Sequence, residues 1–170
     1  MISISITITT DVEVNQKTAF EYNVPIDLIS IFKGYGPLPA VIGIRDQTGA
    51  WDAVGQTRKV LLSDGNSTQE KLTSYEHPNY FSYTVSEFSG FLGCLVSSAN
   101  GEWWFSSISS NKTYIKWSYA FKAKHVYLVL ILWFITSILW RNYMIKALKL
   151  FKTQVEQNKS PKIINKNSGI

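Results

Sequence analysis

The chain has 170 residues and a formal net charge of +5 at pH 7, a length that fits one domain with a sizeable buried core. Hydrophobic residues make up 45% of the sequence and charged residues only 17%, which agrees with a single soluble domain. Cys94 is the one cysteine, which excludes an intrachain disulfide and a cysteine-based metal cluster.

Residues 2–14 alternate between two kinds of side chain. The even positions carry Ile2, Ile4, Ile6, Ile8, Thr10, Val12 and Val14. This period-two pattern predicts a long strand whose even face is buried and whose odd face is exposed. It also argues against a signal peptide, which needs a basic start and a continuous apolar run. We therefore expect a cytoplasmic protein that starts near Met1.

A short helical region is predicted over residues 17–34, with Pro25 either breaking it or starting its second turn. Further strands are predicted at 41–46, on both sides of a turn at 63–65, and at 80–88, 95–105 and 113–121. Together with the first strand these segments indicate one antiparallel sheet of about seven strands.

The turn at 63–65 carries the most informative pair of residues in the chain. Ser-Asp-Gly suits a three-residue hairpin loop in which Gly65 adopts the left-handed conformation. This loop sets Arg58 directly opposite Glu70. Because the other face of the hairpin is almost entirely polar, both charges are predicted to face inward. A core rarely accepts charges unless they are paired or unless it contains a cavity.

Residues spread over 3–155 share an order and spacing that suggest one family. They are Pro25, Ile26, Asp27, Leu28, Pro37, Leu38, Pro39, Trp51, Gly55, Arg58, Gly65, Glu70, Tyr83, Gly101, Glu102, Trp103, Thr113, Ile115 and Trp117. In these residues the chain resembles the START-like, or SRPBCC, superfamily, and within it the polyketide cyclase/dehydrase and lipid transport group. The resemblance implies an α+β helix-grip fold, with a curved antiparallel sheet wrapped around a long C-terminal helix and short helices after the first strand.

The resemblance also implies an apolar cavity between the sheet and the helix. We therefore predict that a hydrophobic or amphipathic small molecule, lipid or polyketide-like, binds there. The candidate ligand-binding residues are Arg58, Glu70, Trp51, Phe81, Tyr83, Trp103, Trp117, Tyr119 and Phe121.

Catalysis is an open alternative. The sequence has no Gly-x-Ser-x-Gly motif and no Cys/His arrangement, and its two histidines lack metal-ligand spacing. We assign no catalytic residue and expect no cofactor or metal. A cyclase- or dehydratase-type enzyme would use Glu70 as base and Arg58 as polarising cation, with Tyr83 or Tyr119 assisting. A structural ion pair is the simpler interpretation, because pairing lowers the basicity of a carboxylate.

A long helix is predicted over residues 125–157, and its first part, 126–140, contains no charge. This run is short for a membrane span, which needs about 20 apolar residues. We therefore expect the sheet to cover most of it. One-sided burial does not explain apolarity around the whole helix, so some large apolar side chains should remain exposed. They would contact a membrane surface or a second copy; a true span is the third alternative.

Most of the positive charge lies from Lys122 onward, where Glu156 is the one acid. This asymmetry is typical of contact with anionic lipid, although a solvated helix face and tail explains it more simply. Nucleic acid is not expected as a partner, because the charges do not interleave with exposed aromatic residues on a sheet. Residues 1–157 are predicted as one domain, and 158–170 as a disordered polar tail.

Overall fold

The computed structural model describes residues 2–24 and 28–159. The described residues form seven strands: β1 (Ser3–Val12), β2 (Val41–Arg45), β3 (Thr57–Leu62), β4 (Ser67–Glu76), β5 (Tyr80–Ser86), β6 (Val96–Ser109) and β7 (Lys112–Ala123). They form one antiparallel sheet in the order β1-β7-β6-β5-β4-β3-β2, so the first strand pairs with the last. The seven-stranded sheet and the helix-grip prediction are confirmed.

Three short helices accompany the sheet: α1 (Gln16–Asn23), α2 (Leu28–Ile31) and α3 (Gly90–Leu95). The side chain of Asn15 caps α1 by accepting a hydrogen bond of 2.8 Å from the backbone N–H of Thr18. Pro25, where the sequence predicted a break or a second turn, lies outside the described residues. So do Ile26, Asp27 and positions 160–170 of the predicted tail.

The predicted hairpin register is confirmed. Arg58 lies opposite Glu70 in the β3–β4 ladder, and Gly65 in the connecting turn has a φ of +82°. The even face of β1 points inward, with Ile8 and Val12 buried, whereas Ile2 at the outer end of the strand is 46% exposed. Alternation therefore predicted the inner face correctly except at the beginning of the strand.

The long helix runs from Val126 to Lys159. It begins with a 3₁₀ turn (Val126–Leu128), continues as α4 (Val129–Phe134), passes through a π-helical stretch (Ile135–Trp140) and ends as α5 (Arg141–Lys159). The buried residues of α5 recur at helical spacing and face the sheet: Tyr143, Met144, Ala147, Leu148, Phe151 and Val155. This stripe closes the core over the concave face of the sheet.

The expectation that the sheet covers most of residues 126–140 is wrong. Leu132, Ile135 and Thr136 are buried, but Leu130 is 79% exposed and Trp133 is 56% exposed. The reason is geometric: β7 ends at Ala123, immediately before the helix begins, and among the strands this part of the helix packs mainly beside β1 and β7. One side of the helix is thus covered, and the other side has no strand over it.

Candidate ligand cavity

An apolar cavity of about 80 Å³ lies between the sheet and the long helix. The sheet supplies its floor from β2, β3, β4, β5 and β7, and the helix supplies its roof at the junction of the π-helical stretch and α5. The lining residues are Leu28, Phe32, Leu38, Pro39, Val41, Val60, Leu62, Thr68, Glu70, Tyr83, Val85, Phe88, Leu92, Tyr119, Trp140 and Tyr143.

A recess of about 130 Å³ adjoins the cavity and forms its mouth. The two spaces share six wall residues: Leu38, Pro39, Leu62, Thr68, Phe88 and Leu92. Phe91 on α3 and Ile135 and Leu139 on the long helix also line the recess. Phe88, just before α3, and Leu92 on α3 are two of these shared residues.

The Arg58–Glu70 pair faces inward, as the sequence predicted. Arg58 Nε donates a hydrogen bond of 2.7 Å to Glu70 Oε2, and both side chains are largely buried. The guanidinium carbon of Arg58 lies 4.0 Å from the centre of the Trp51 ring, a cation–π contact that adds to the ion pair. Glu70 borders the main cavity, whereas Arg58 lies behind it against a smaller void.

Three buried tyrosines line the cavity, Tyr83, Tyr119 and Tyr143, and the hydroxyl of Tyr143 already donates a hydrogen bond of 2.7 Å to the carbonyl of Pro39. Burial raises the pKa of Tyr83, and the negative charge of Glu70 adds to this effect. Burial likewise raises the pKa of Tyr119, with contributions from Tyr83 and Glu70. Both hydroxyls therefore remain protonated at neutral pH and can donate a hydrogen bond to a ligand.

Gly101 on β6 determines where the Tyr83 ring can lie. A Cβ atom at this position would collide with the ring of Tyr83, whose edge crosses the β6 backbone. Only glycine leaves that space free. The Gly101-Glu102-Trp103 match noted in the sequence thus includes a residue that helps to shape the cavity.

Trp140 contributes a hydrogen-bond donor without a partner. Its Nε1 atom is buried, and among the described residues no acceptor reaches it. The ring lies against Tyr119, with centroids 4.8 Å apart, at the edge of the cavity. A buried N–H without a partner is costly, and because this atom has no surface open to the cavity, a ligand could accept its hydrogen bond only after the cavity widens.

The predicted site residues fall into three groups. Glu70, Tyr83 and Tyr119 line the main cavity, and Tyr83 also borders the small void behind it. The other predicted site residues that border this void are Arg58, Trp51, Phe81 and Trp103.

Trp117 and Phe121 form the third group and lie in the packed core. The ring of Trp117 stacks on Trp103 with centroids 4.4 Å apart, and Phe121 packs against Trp140 at 5.0 Å. Neither is among the described residues that line the cavity.

Sequence reasoning missed the roof and the mouth. Trp140 and Tyr143 are spaced three residues apart on a helix, a signal that could have placed both on the face toward the sheet. Phe32 and Phe88 lie in irregular segments and Leu92 lies in the six-residue α3, where hydrophobic periodicity gives no signal.

The described residues contain no group of three or more His, Cys, Asp or Glu side chains that could hold a metal ion. Glu70 is the ionisable group on the cavity wall that could act as a base, and it already accepts a hydrogen bond from Arg58. The geometry therefore suits the binding of a polar group on an otherwise apolar molecule.

No family model matches the sequence, and no curated protein matches it. Solved structures do share its fold. A point mutant of norcoclaurine synthase from Thalictrum flavum, in complex with a transition-state analogue, aligns with a TM-score of 0.69 and 15% identity. That alignment covers 94% of this chain and 98% of the other.

Two further structures give similar values. Ara h 8.0201 aligns with a TM-score of 0.62 and 16% identity over 92% of this chain and 99% of its own. The protein XoxI from Bacillus cereus aligns with a TM-score of 0.62 and 14% identity over 92% of this chain and 99% of its own.

The norcoclaurine synthase and Ara h 8 structures belong to the START-like superfamily. The chain has the START-like helix-grip fold. Because the identities lie near 15%, the likeness shows the fold alone, and the resemblance found in the sequence is confirmed at that level.

Proposed function

We propose that this START-like chain binds a hydrophobic or amphipathic small molecule in the cavity between the sheet and the long helix. The observation that carries the proposal is an apolar space whose wall holds the polar side chains of Glu70, Tyr83 and Tyr119. A few polar groups in an apolar pocket give a ligand one orientation, while apolar contact supplies most of the affinity.

The size of the cavity adds a condition. About 80 Å³ accommodates a few water-sized groups, and a drug-sized ligand needs several hundred. The cavity must therefore widen when ligand binds. Because Leu92 on α3 borders both the cavity and the recess, we expect a shift of α3 to enlarge the space that the two share.

Aromatic compounds are one ligand class that fits this wall. Norcoclaurine synthase has been solved in complex with dopamine and hydroxybenzaldehyde, and it has the same fold as this chain. Lipids and polyketide-like compounds remain alternatives within the same proposal.

A cyclase- or dehydratase-type reaction is a second candidate function. It is favoured by one observation, the presence of Glu70, Tyr83 and Tyr119 on the wall of a single cavity. In such an enzyme a Glu70→Gln variant would bind ligand and lose turnover, whereas a pure binding protein has no turnover to lose.

Residues 126–140 support a further proposal, a contact with a membrane surface or a second copy. It rests on the exposed apolar side of this helix, which includes Leu130 and Trp133. A cytoplasmic location remains a prediction from the N-terminal sequence.

The binding proposal is tested by native mass spectrometry of purified protein, in search of a co-purified small molecule, and by titration with a fluorescent fatty acid. Val60→Phe places a larger side chain on the cavity wall and should lower the affinity for the fatty acid at least tenfold. The matched control is Ile42→Phe on the neighbouring strand, where the side chain is 58% exposed. Equal affinities in both folded variants, or no binding to the unaltered chain, would refute the cavity proposal.

A further inference from the structure

One side of the long helix is apolar and exposed along its first four turns. The residues are Val126, Tyr127, Leu130, Ile131, Trp133, Phe134 and Ile138. At 3.6 residues per turn they cover an arc of about 160°. Of the hydroxyl residues in 126–140, Thr136 is buried and lies outside this arc, whereas Ser137 lies within the arc and is half-buried, and Tyr127 is part of the exposed set. Together with Phe91 these seven residues are called the docking face below.

Phe91 belongs to the docking face because α3 is anchored to the beginning of the helix. The backbone N–H of Lys124 donates a hydrogen bond of 2.9 Å to the carbonyl of Leu95, and its ammonium group bonds the carbonyl of Gly93. These contacts hold α3 beside the chain segment from which the helix starts. The Phe91 side chain is 67% exposed and borders the same recess as Ile135 and Leu139. The mouth of the cavity therefore opens beside the docking face.

Positive charge flanks the docking face at both ends. Lys122 and Lys124 precede the helix, and Arg141 follows the apolar stretch. Glu156, the one acid from Lys122 onward, lies far along α5, where it is 3.7 Å from Lys152. An apolar surface with aromatic side chains and basic flanks is typical of an element that lies in the interface of an anionic membrane.

Charge argues against a second copy as the occupant. A two-fold contact uses the same patch on both subunits. Any such pairing of the docking face would place the basic flanks of one copy next to basic flanks of the other. Like charges at an interface oppose association.

Packing argues against a membrane span. By length and hydropathy this is a helix that could cross a membrane, yet Leu132 and Thr136 are fully buried against the rest of the protein. A span would have to separate them from the domain and also extend into α5, whose inner stripe closes the core.

We propose that the docking face inserts into the surface of an anionic lipid bilayer, with the mouth of the cavity turned toward the lipid. The ligand then passes between bilayer and cavity without crossing bulk water. The docking proposal rests on the exposed surface alone, whereas the transfer proposal rests on the proposed ligand binding.

Co-sedimentation with vesicles tests docking without any ligand. The vesicles are phosphatidylcholine alone or phosphatidylcholine with phosphatidylserine, at low and high salt. The unaltered chain should bind the anionic vesicles and bind less at high salt, because salt screens the basic flanks. Leu130→Glu/Trp133→Glu should lower the partition coefficient by about a hundredfold, since it removes two large apolar side chains from the contact.

The matched control is Ile42→Glu/Ile108→Glu, which also places two acids at exposed apolar positions. Ile108 lies near the end of β6 opposite to the one that adjoins α3, so this variant should retain most vesicle binding. Circular dichroism verifies that both variants fold. Docking is refuted by equal binding of the two variants, by dimers without vesicle binding, or by protein recovered only in detergent.

Transfer is tested with a fluorescent fatty acid moving from donor vesicles to protein. Val60→Phe should dock normally and take up little probe. Leu130→Glu/Trp133→Glu should bind probe offered in solution and take it up slowly from vesicles. If the cavity does not bind ligand, none of these proteins takes up the fluorescent fatty acid, whereas vesicle binding is unchanged. The docking and cavity proposals can therefore be refuted independently. Equal uptake rates for the docking variant and the unaltered chain would refute transfer through the mouth.

Discussion

The two halves of the long helix are built on different patterns, although they form one continuous element. In α5 apolar residues recur at helical spacing, and the lysines lie between them on the outer side. In residues 126–140 apolar side chains occupy the covered and the exposed sides alike. Packing on the rest of the domain accounts for the buried stripe of α5, but it accounts for only one side of residues 126–140.

This difference shows which apolar side chains of the long helix the fold requires and which it does not. A domain of this kind is closed once one stripe of the helix is buried, as in α5. Further apolar side chains in water gain no burial from folding, and contiguous exposed apolar surface usually marks a contact. The cavity lies where the halves meet, since Trp140 ends the π-helical stretch and Tyr143 begins the buried stripe. Binding and docking therefore involve adjacent parts of one element.

The largest effect on stability is expected in α5. Phe151→Ala removes a fully buried ring that packs against Tyr22 and Trp103. We expect the free energy of unfolding to fall by about 4 kcal/mol, because the change loses transfer free energy and leaves a cavity. Urea denaturation followed by circular dichroism measures it. A loss below about 1 kcal/mol would mean that α5 does not close the core.

Breaking the buried ion pair should be nearly as costly. Glu70→Ala leaves the Arg58 guanidinium buried without its carboxylate, and we expect a loss of about 3 kcal/mol. The double variant Arg58→Met/Glu70→Leu should regain most of that stability, because both charges are then absent. Denaturation of the three proteins distinguishes the cases. A loss well under 1 kcal/mol for Glu70→Ala would mean that water in the cavity solvates the stranded arginine.

A methyl group at Gly101 tests how the floor of the cavity is packed. Gly101→Ala should displace the Tyr83 ring and lower the free energy of unfolding by about 2 kcal/mol, as overpacking does. Tyr83→Leu/Gly101→Ala removes the collision and should be less affected by the methyl group than the single variant is. If the methyl group costs the same with and without the Tyr83 ring, the collision is not its cause.

The sequence predicted the structure correctly where side chains alternate regularly along a strand. Strands with strict alternation, such as β1 and the β3–β4 hairpin, were predicted with their inner faces and with the Arg58–Glu70 pairing. Turn chemistry at Gly65 fixed the register, because a one-residue slip would have placed Arg58 and Glu70 on opposite faces of the sheet. Local rules were sufficient here because each side chain on a strand has only two directions to face.

The cavity was harder to predict because its wall crosses many elements. Trp117, Tyr119 and Phe121 share one face of β7. The stacking of Trp117 on Trp103 nevertheless fills the space at that position, and the cavity lies farther along the sheet. Where packing ends and a cavity begins depends on side-chain volumes from several strands at once. The coverage of residues 126–140 was overestimated for a related reason: periodicity shows that a side chain is apolar and cannot show whether a strand reaches it.

The smallest effect on stability is expected where the sequence is most apolar. Leu130→Ala alters a side chain that is 79% exposed, and alanine is the best helix former, so the free energy of unfolding should change by less than about 0.5 kcal/mol. Leu132→Ala, two positions away, removes a fully buried side chain of the same type and should cost about 3 kcal/mol. Urea denaturation of this pair at low protein concentration compares the two sides of one helix with identical chemistry. If Leu130→Ala costs as much as Leu132→Ala, the exposed side is covered in the free protein, and the surface proposed to meet lipid is already occupied.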